Sequence, residues 1–206
     1  MNRVINAERV RRDVIVIGAS AGGVAALREL FGKLPSDLDA AVAVVLHRSP
    51  VVHSALASVL AWRSTLPVIE AADGMAFRRG SIHIAPRDQH LRIDGKTLRL
   101  SRGPKEQHTR PAIDPLFRSA AASEGERVVG VLLSGTGDDG VSGLICITAA
   151  GGITVVQDPD EAAYPQMPRS AIINDRVQAA VPVADIADVL VQLARGEAVT
   201  MTAPTR

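Results

Sequence analysis

The segment Asp13-Val14-Ile15-Val16-Ile17-Gly18-Ala19-Ser20-Ala21-Gly22-Gly23 decides the fold. Val14 to Ile17 is an unbroken β-branched run, the pattern of a strand buried on both faces. The run breaks at Gly18, and a helical pattern of apolar residues starts at Val24. Ser20 therefore falls on a tight strand-to-helix turn with small residues on both sides. The spacing Gly18-x-Ser20-x-Gly22 is that of a nucleophile elbow. Free backbone N–H groups at the start of the following helix would hold an oxyanion or a phosphate. On this segment alone, Ser20 is either a nucleophile or the lining of a phosphate loop.

Outward from this segment, strand and helix signals alternate. Strand-like runs fall at 41–46, 68–70, 81–85, 128–133, 153–157 and 178–181, and helical patterns at 24–33, 54–62, 114–123, 141–150, 169–173 and 184–195. Alternation of this kind implies βαβ units with right-handed crossovers. The expected fold is α/β: a doubly wound, mostly parallel sheet with helices on both faces. One stretch, 90–100, alternates with period two around Asp94-Gly95, with Leu91, Ile93, Leu98 and Leu100 as its apolar set. It reads as an antiparallel hairpin on the sheet edge. Residues 1–12 read as an extension, 13–195 as one domain, and 196–206 as a flexible tail.

Composition bounds the function. The chain has 206 residues, 47% of them hydrophobic but only 2% aromatic, so its core must be aliphatic. A formal net charge of +1 argues against general nucleic-acid binding. A single cysteine, Cys146, excludes an internal disulfide and fits a reducing compartment. No signal peptide is legible, and no apolar run approaches the ~20 residues that span a bilayer. A cytoplasmic protein without membrane insertion is expected, and its oligomeric state is not legible.

In an open parallel sheet, ligands sit outside the carboxyl ends of the strands. Ser20 follows the first apolar strand, His47 the second, and Asp138 and Asp139 follow Leu133 in Ser134-Gly135-Thr136-Gly137-Asp138-Asp139-Gly140. A serine, a histidine and an aspartate on one sheet edge are the parts of an acyl-transfer triad. Asp139 is expected to orient His47 and Asp138 to cap the following helix. His53, near a helix start, rivals His47. His83 lies inside a strand, and His90 and His108 are weaker candidates. The order serine, histidine, aspartate with an elbow on the first strand differs from that of α/β-hydrolases.

Gly135 to Gly140 also fits G-x-G-x-x-G between a strand and a helix, with Asp158 near the offset of a ribose-binding acid. That pattern suggests a nucleotide-binding oxidoreductase. Carboxylates at that helix N-terminus would occupy the N–H groups a pyrophosphate needs, and would repel it.

Taken together, Asp13–Gly23, His47, Arg110-Pro111-Ala112-Ile113-Asp114-Pro115-Leu116-Phe117, Leu133–Gly140 and Met167-Pro168-Arg169-Ser170-Ala171-Ile172 resemble the catalytic domain of CheB-type chemotaxis protein-glutamate methylesterases. The resemblance runs from about Asp13 to Leu193. It implies a Ser20 nucleophile, a His47 base and an Asp139 orienter, acting on γ-glutamyl methyl esters of methyl-accepting chemoreceptors. It also implies deamidation of receptor glutamines in some members, and needs neither metal nor organic cofactor. Ala21 and Gly22 would donate backbone N–H groups to the oxyanion, and Thr136 would lie beside the site. Arg110, with Arg99, Arg102 and Lys105, would face an acidic receptor helix, although this group also reads as a solvated charged loop. Three positions depart from the family's usual pattern: Ala21 for Thr, Thr136 for Met, and Arg48-Ser49-Pro50 for Met-Pro. Only about a dozen residues precede the first apolar strand, so a stand-alone branch without a receiver domain is expected. A non-catalytic adaptor on the same fold is the other alternative.

Overall fold

In the computed structural model, residues 2–5, 10–49, 55–175, 177–202 and 204 are described. The strands are β1 (Asn2–Ile5), β2 (Val14–Ala19), β3 (Ala41–Leu46), β4 (Val68–Glu70), β5 (Ser81–Ile84), β6 (His90–Asp94), β7 (Thr97–Ser101), β8 (Val128–Leu132), β9 (Ile153–Gln157), β10 (Ala179–Val181) and β11 (Val199–Thr202). The helices are α1 (Gly23–Lys33), α2 (Leu56–Ala61), α3 (Ile113–Glu124), α4 (Val141–Ala149), α5 (Gln166–Asn174) and α6 (Val183–Arg195).

Seven strands form one sheet in the order β10-β9-β8-β2-β3-β5-β4. Every neighbouring pair in it is parallel. From the central β2 the chain moves outward through β3 to β4 and β5. It then returns to the other side of β2 at β8 and moves outward through β9 to β10. The strand order reverses between β2 and β8, and the carboxyl ends there open the crevice in which such sheets bind ligands.

The sheet is covered on both faces, which is why its strands need no polar alternation. On β2, Ile15 and Ile17 enter one core with Leu27, Leu30 and Phe31 of α1 and Ile186, Leu190 and Leu193 of α6. Val14 and Val16 enter the other, with Ile113, Leu116 and Phe117 of α3, Leu144 and Ile147 of α4 and Met167 of α5. Phe31 and Phe117, one in each core, are fully buried, and each is worth roughly 1.5–3 kcal/mol by burial.

Two expectations change. β6 and β7 do form an antiparallel hairpin, with Asp94 opposite Thr97, but they make a separate two-stranded sheet. Its apolar side, Leu91, Ile93 and Leu98, packs into the α3 core instead of extending a sheet edge. Ser119 and Ser123 of α3 fix it there by accepting hydrogen bonds from the N–H groups of Ile93 (3.0 Å) and Gly95 (2.8 Å). The ends of the chain are not loose throughout either. β1 pairs antiparallel with β11. The alternation Val199-Thr200-Met201 is that of a half-buried strand, and Val199 and Met201 join the α1–α6 core. Among the described residues, no helix is long and apolar enough to cross a membrane.

Candidate active site

Ser20 follows β2 directly, and its turn is locked from two sides. Its N–H donates to the Ser134 carbonyl at the end of β8 (3.0 Å), and its carbonyl accepts from Gly23 (2.9 Å). Gly22 takes φ 76°, a left-handed conformation that glycine adopts without steric cost, and so swings the chain into α1. A Cβ on Gly135 would stand 2.8 Å from that of Ser20, so the β8 loop approaches the serine through a bare backbone. Among the described residues, no side-chain hydrogen bond caps the N-terminus of α1. Among the described residues, the N–H groups of Ala21 and Gly22 find no backbone acceptor, so donors remain beside the Ser20 hydroxyl.

His47 follows β3, anchored by its N–H on the Ala19 carbonyl (3.0 Å). Its Nδ1 lies 3.1 Å from Ser20 Oγ, and its Nε2 lies 2.7 Å from Asp139 Oδ2. An ionised carboxylate only accepts, so the proton sits on Nε2 and the Nδ1 lone pair faces the serine hydroxyl. The three side chains thus form one hydrogen-bonded line across the carboxyl ends of β2, β3 and β8. His53 lies outside the described residues. His83 is buried away from this edge, against Phe77 with ring centroids 5.4 Å apart. Burial pushes its pKa down, opposed by a hydrogen bond to the Val42 carbonyl.

Asp139 is 2% exposed, and its charge is held by a helix end. The N–H groups of Ile113 and Asp114, in the first turn of α3, donate to its Oδ2 (2.7 Å) and Oδ1 (3.0 Å). Asp114 returns the arrangement: its Oδ1 accepts from Gly140 (3.1 Å) and Gly143 (2.7 Å) at the start of α4. Each helix start is therefore capped by a carboxylate from the other's segment. This corrects the cap expected of Asp138, which is exposed and offers α4 only its backbone carbonyl, to Val141 (3.1 Å). It also closes the dinucleotide pattern, because the N–H groups a pyrophosphate would need are filled by Asp114.

Burial raises the pKa of Asp114 from 3.8 to about 6; Asp139 adds to the rise, while the two glycine N–H groups and Arg118 oppose it. Because the folded value lies above the unfolded one, the stabilisation belongs to the protonated form. It is complete below pH 3.8 and is lost as pH rises through about 6. Asp114→Asn keeps an acceptor for the two glycines and removes this dependence. Relative to the variant, the wild type is expected to lose about 2 kcal/mol of unfolding free energy between pH 4 and pH 7. Urea melts at the two pH values measure it.

A cleft of about 620 Å³ opens over these residues, lined also by Thr136, Lys105, Gln107, Thr109 and Arg110. Thr136 is exposed on its rim. Arg110, expected to face an acidic receptor helix or to belong to a solvated charged loop, lines this cleft. Its guanidinium pairs with Asp88 (2.8 Å) and donates to the carbonyls of Gly103 (2.8 Å) and Arg102 (3.3 Å), so it braces the 101–110 loop. Thr109 was not anticipated: its Oγ1 stands 3.5 Å from His47 Nε2 and donates to the Glu106 carbonyl (3.0 Å). Nor was Ser134, whose hydroxyl donates to the Ala21 carbonyl (2.8 Å) and accepts from Tyr164 N–H (3.0 Å), tying the elbow to the loop before α5. Among the described residues, no cluster of three or more His, Cys, Asp or Glu side chains could hold a metal ion.

Residues 15–190 match the family model described as CheB methylesterase. The chain is 42% identical over 189 residues to a protein-glutamate methylesterase/protein-glutamine glutaminase 2 of Anaeromyxobacter dehalogenans, covering 92% of this chain and 55% of that protein. It is 40% identical over 184 residues to a protein-glutamate methylesterase/protein-glutamine glutaminase 1 of Xanthomonas campestris, covering 87% and 51%. The chain thus spans about half the length of the curated relatives it matches. The crystal structure of the Thermotoga maritima CheB methylesterase catalytic domain is similar with a TM-score of 0.85 at 31% identity, covering 89% of this chain and all of that one.

Proposed function

Because the chain belongs to the CheB methylesterase family, we propose that it hydrolyses γ-methyl esters of glutamyl side chains on methyl-accepting chemoreceptors, with Ser20 as nucleophile, His47 as base and Asp139 as its orienter. The observation that carries the reading is the single line of hydrogen bonds in which His47 joins Ser20 Oγ to Asp139.

The reaction is a two-step displacement. His47 Nδ1 takes the Ser20 hydroxyl proton as Oγ attacks the ester carbonyl. The oxyanion forms against the N–H groups of Ala21 and Gly22, at the positive end of α1. Asp139 steadies the imidazolium through Nε2, its own charge held by the α3 N-terminus. The tetrahedral adduct collapses, the C–OCH₃ bond breaks, and Nδ1–H gives its proton to the departing methoxide oxygen, which leaves as methanol. Water, deprotonated by His47, then cleaves the acyl-serine and frees the glutamate carboxylate. With a glutaminyl side chain the leaving group is ammonia, which extends the reading to deamidation. Ala21 keeps the backbone donor that the oxyanion needs.

Residues 13–195 form the esterase domain in this reading, and the lone free thiol of Cys146 supports a cytoplasmic setting. The filled N-terminus of α4 counts against nucleotide chemistry at Gly135–Gly140. The expected result is methanol release from a methylated chemoreceptor fragment by the purified chain, read by gas chromatography. A chain that binds the fragment and releases no methanol would be an adaptor instead.

A further inference from the structure

Resting on that reading of the Ser20 cleft, we propose that Arg28 is a docking residue for a carboxylate of the protein substrate, separate from the side chain that carries the ester. The cleft does not end at the nucleophile. From Ser20 and His47 a second arm runs over the start of α1, past Leu46, Val24 and Ala25, to Arg28. There it meets a further depression between α1 and Arg63, with Lys33 at its side. Val24 is 40% exposed on this path, an apolar floor that the catalytic line does not use. A segment presenting an ester to Ser20 therefore continues over the face of α1.

Arg28 is the charge this arm leads to. Among the described residues, its Nε is buried without a hydrogen-bond partner. Nor does it make an ion pair among the described residues, whereas the two guanidinium groups that line the cleft over Ser20 itself are taken. Arg48 pairs with Glu70 (2.9 Å), and Arg110 pairs with Asp88 (2.8 Å). Lys33 and Arg63 add positive charge around Arg28, against Glu29 alone. An unpaired guanidinium is a fork for a carboxylate.

The reaction itself supplies that ligand, because each ester hydrolysed leaves a glutamate behind. A segment bearing several esters becomes a better ligand for Arg28 as its neighbouring sites are cleared. Arg28 lies five residues into α1 from Gly23, or about 7.5 Å along the axis. The carboxylate it meets therefore lies within about seven residues of the ester.

The test uses two peptides, each with one γ-methyl glutamate. One carries glutamates at four and seven residues on either side, and the other carries glutamines there. The wild type is expected to show a KM about fivefold lower for the glutamate peptide, the upper end for an exposed ion pair, with kcat alike. Arg28→Gln is expected to bring the two KM values together, and Arg28→Glu to reverse their order. Equal KM values in the wild type, or a preference that survives Arg28→Gln, would overturn the docking role and leave the esterase intact. A wild type that hydrolyses neither peptide would overturn the esterase reading, and this inference with it.

Discussion

Ser20→Ala is expected to lower ester hydrolysis by about 10⁴-fold or more while leaving stability within about 0.5 kcal/mol of the wild type. The two halves of this result have separate causes. In the proposed reaction this hydroxyl forms the acyl bond, and methanol does not leave without it. Among the described residues its hydrogen-bond partner is His47 Nδ1. The elbow is held by backbone bonds to Ser134 and Gly23, which alanine keeps. The His47 side chain is 14% exposed, so water can replace the lost contact. Methanol release and a urea melt on the same preparation check both halves. A variant that still turned over would leave Ser20 as the lining of an anion site.

Asp139→Asn is expected to fail in both respects. The carboxylate accepts from His47 Nε2, Ile113 and Asp114, all at 3.0 Å or less. An amide has one oxygen for these three donors. If its NH₂ faces His47, Nε2 becomes the acceptor and Nδ1 keeps the proton, so the base has no lone pair for Ser20. If its oxygen faces His47, the NH₂ meets the N–H of Asp114 head-on. In either orientation the negative charge that stabilises the imidazolium is gone. The expected loss is about 10⁴-fold in kcat/KM, together with about 1–3 kcal/mol of stability for the orphaned donor. Circular dichroism melts set against those of Ser20→Ala separate this variant from a purely chemical lesion. Unchanged stability would mean that the α3 N–H groups do not depend on the carboxylate.

These contrasts show how far the sequence could be read. The parallel sheet was legible because Val14–Ile17 and Ala41–Leu46 are unbroken apolar runs, which only burial on both faces explains. Ser20, His47 and Asp139 could be nominated because each follows a strand, and the carboxyl edge of a parallel sheet is one place. Asp114 carried no such mark. An acid in the first turn of a helix usually faces water, and its partners Gly140 and Gly143 lie 26 and 29 residues away. The pairing of Arg110 with Asp88, 22 residues upstream, is likewise announced by nothing local. For the hairpin, period-two alternation told which residues share a side but not which surface that side would meet. It meets α3, through serines on that helix. Arg28 sits in an ordinary amphipathic pattern, and its lack of a partner is visible only when its surroundings are.

The exchange of carboxylates between the starts of α3 and α4 makes chemistry hostage to assembly. Until those two helices dock, Asp139 has no amides to hold its charge, and His47 has no fixed partner. Under the proposed mechanism, a nascent or partly opened chain is therefore silent towards every ester it meets, including those of unintended proteins.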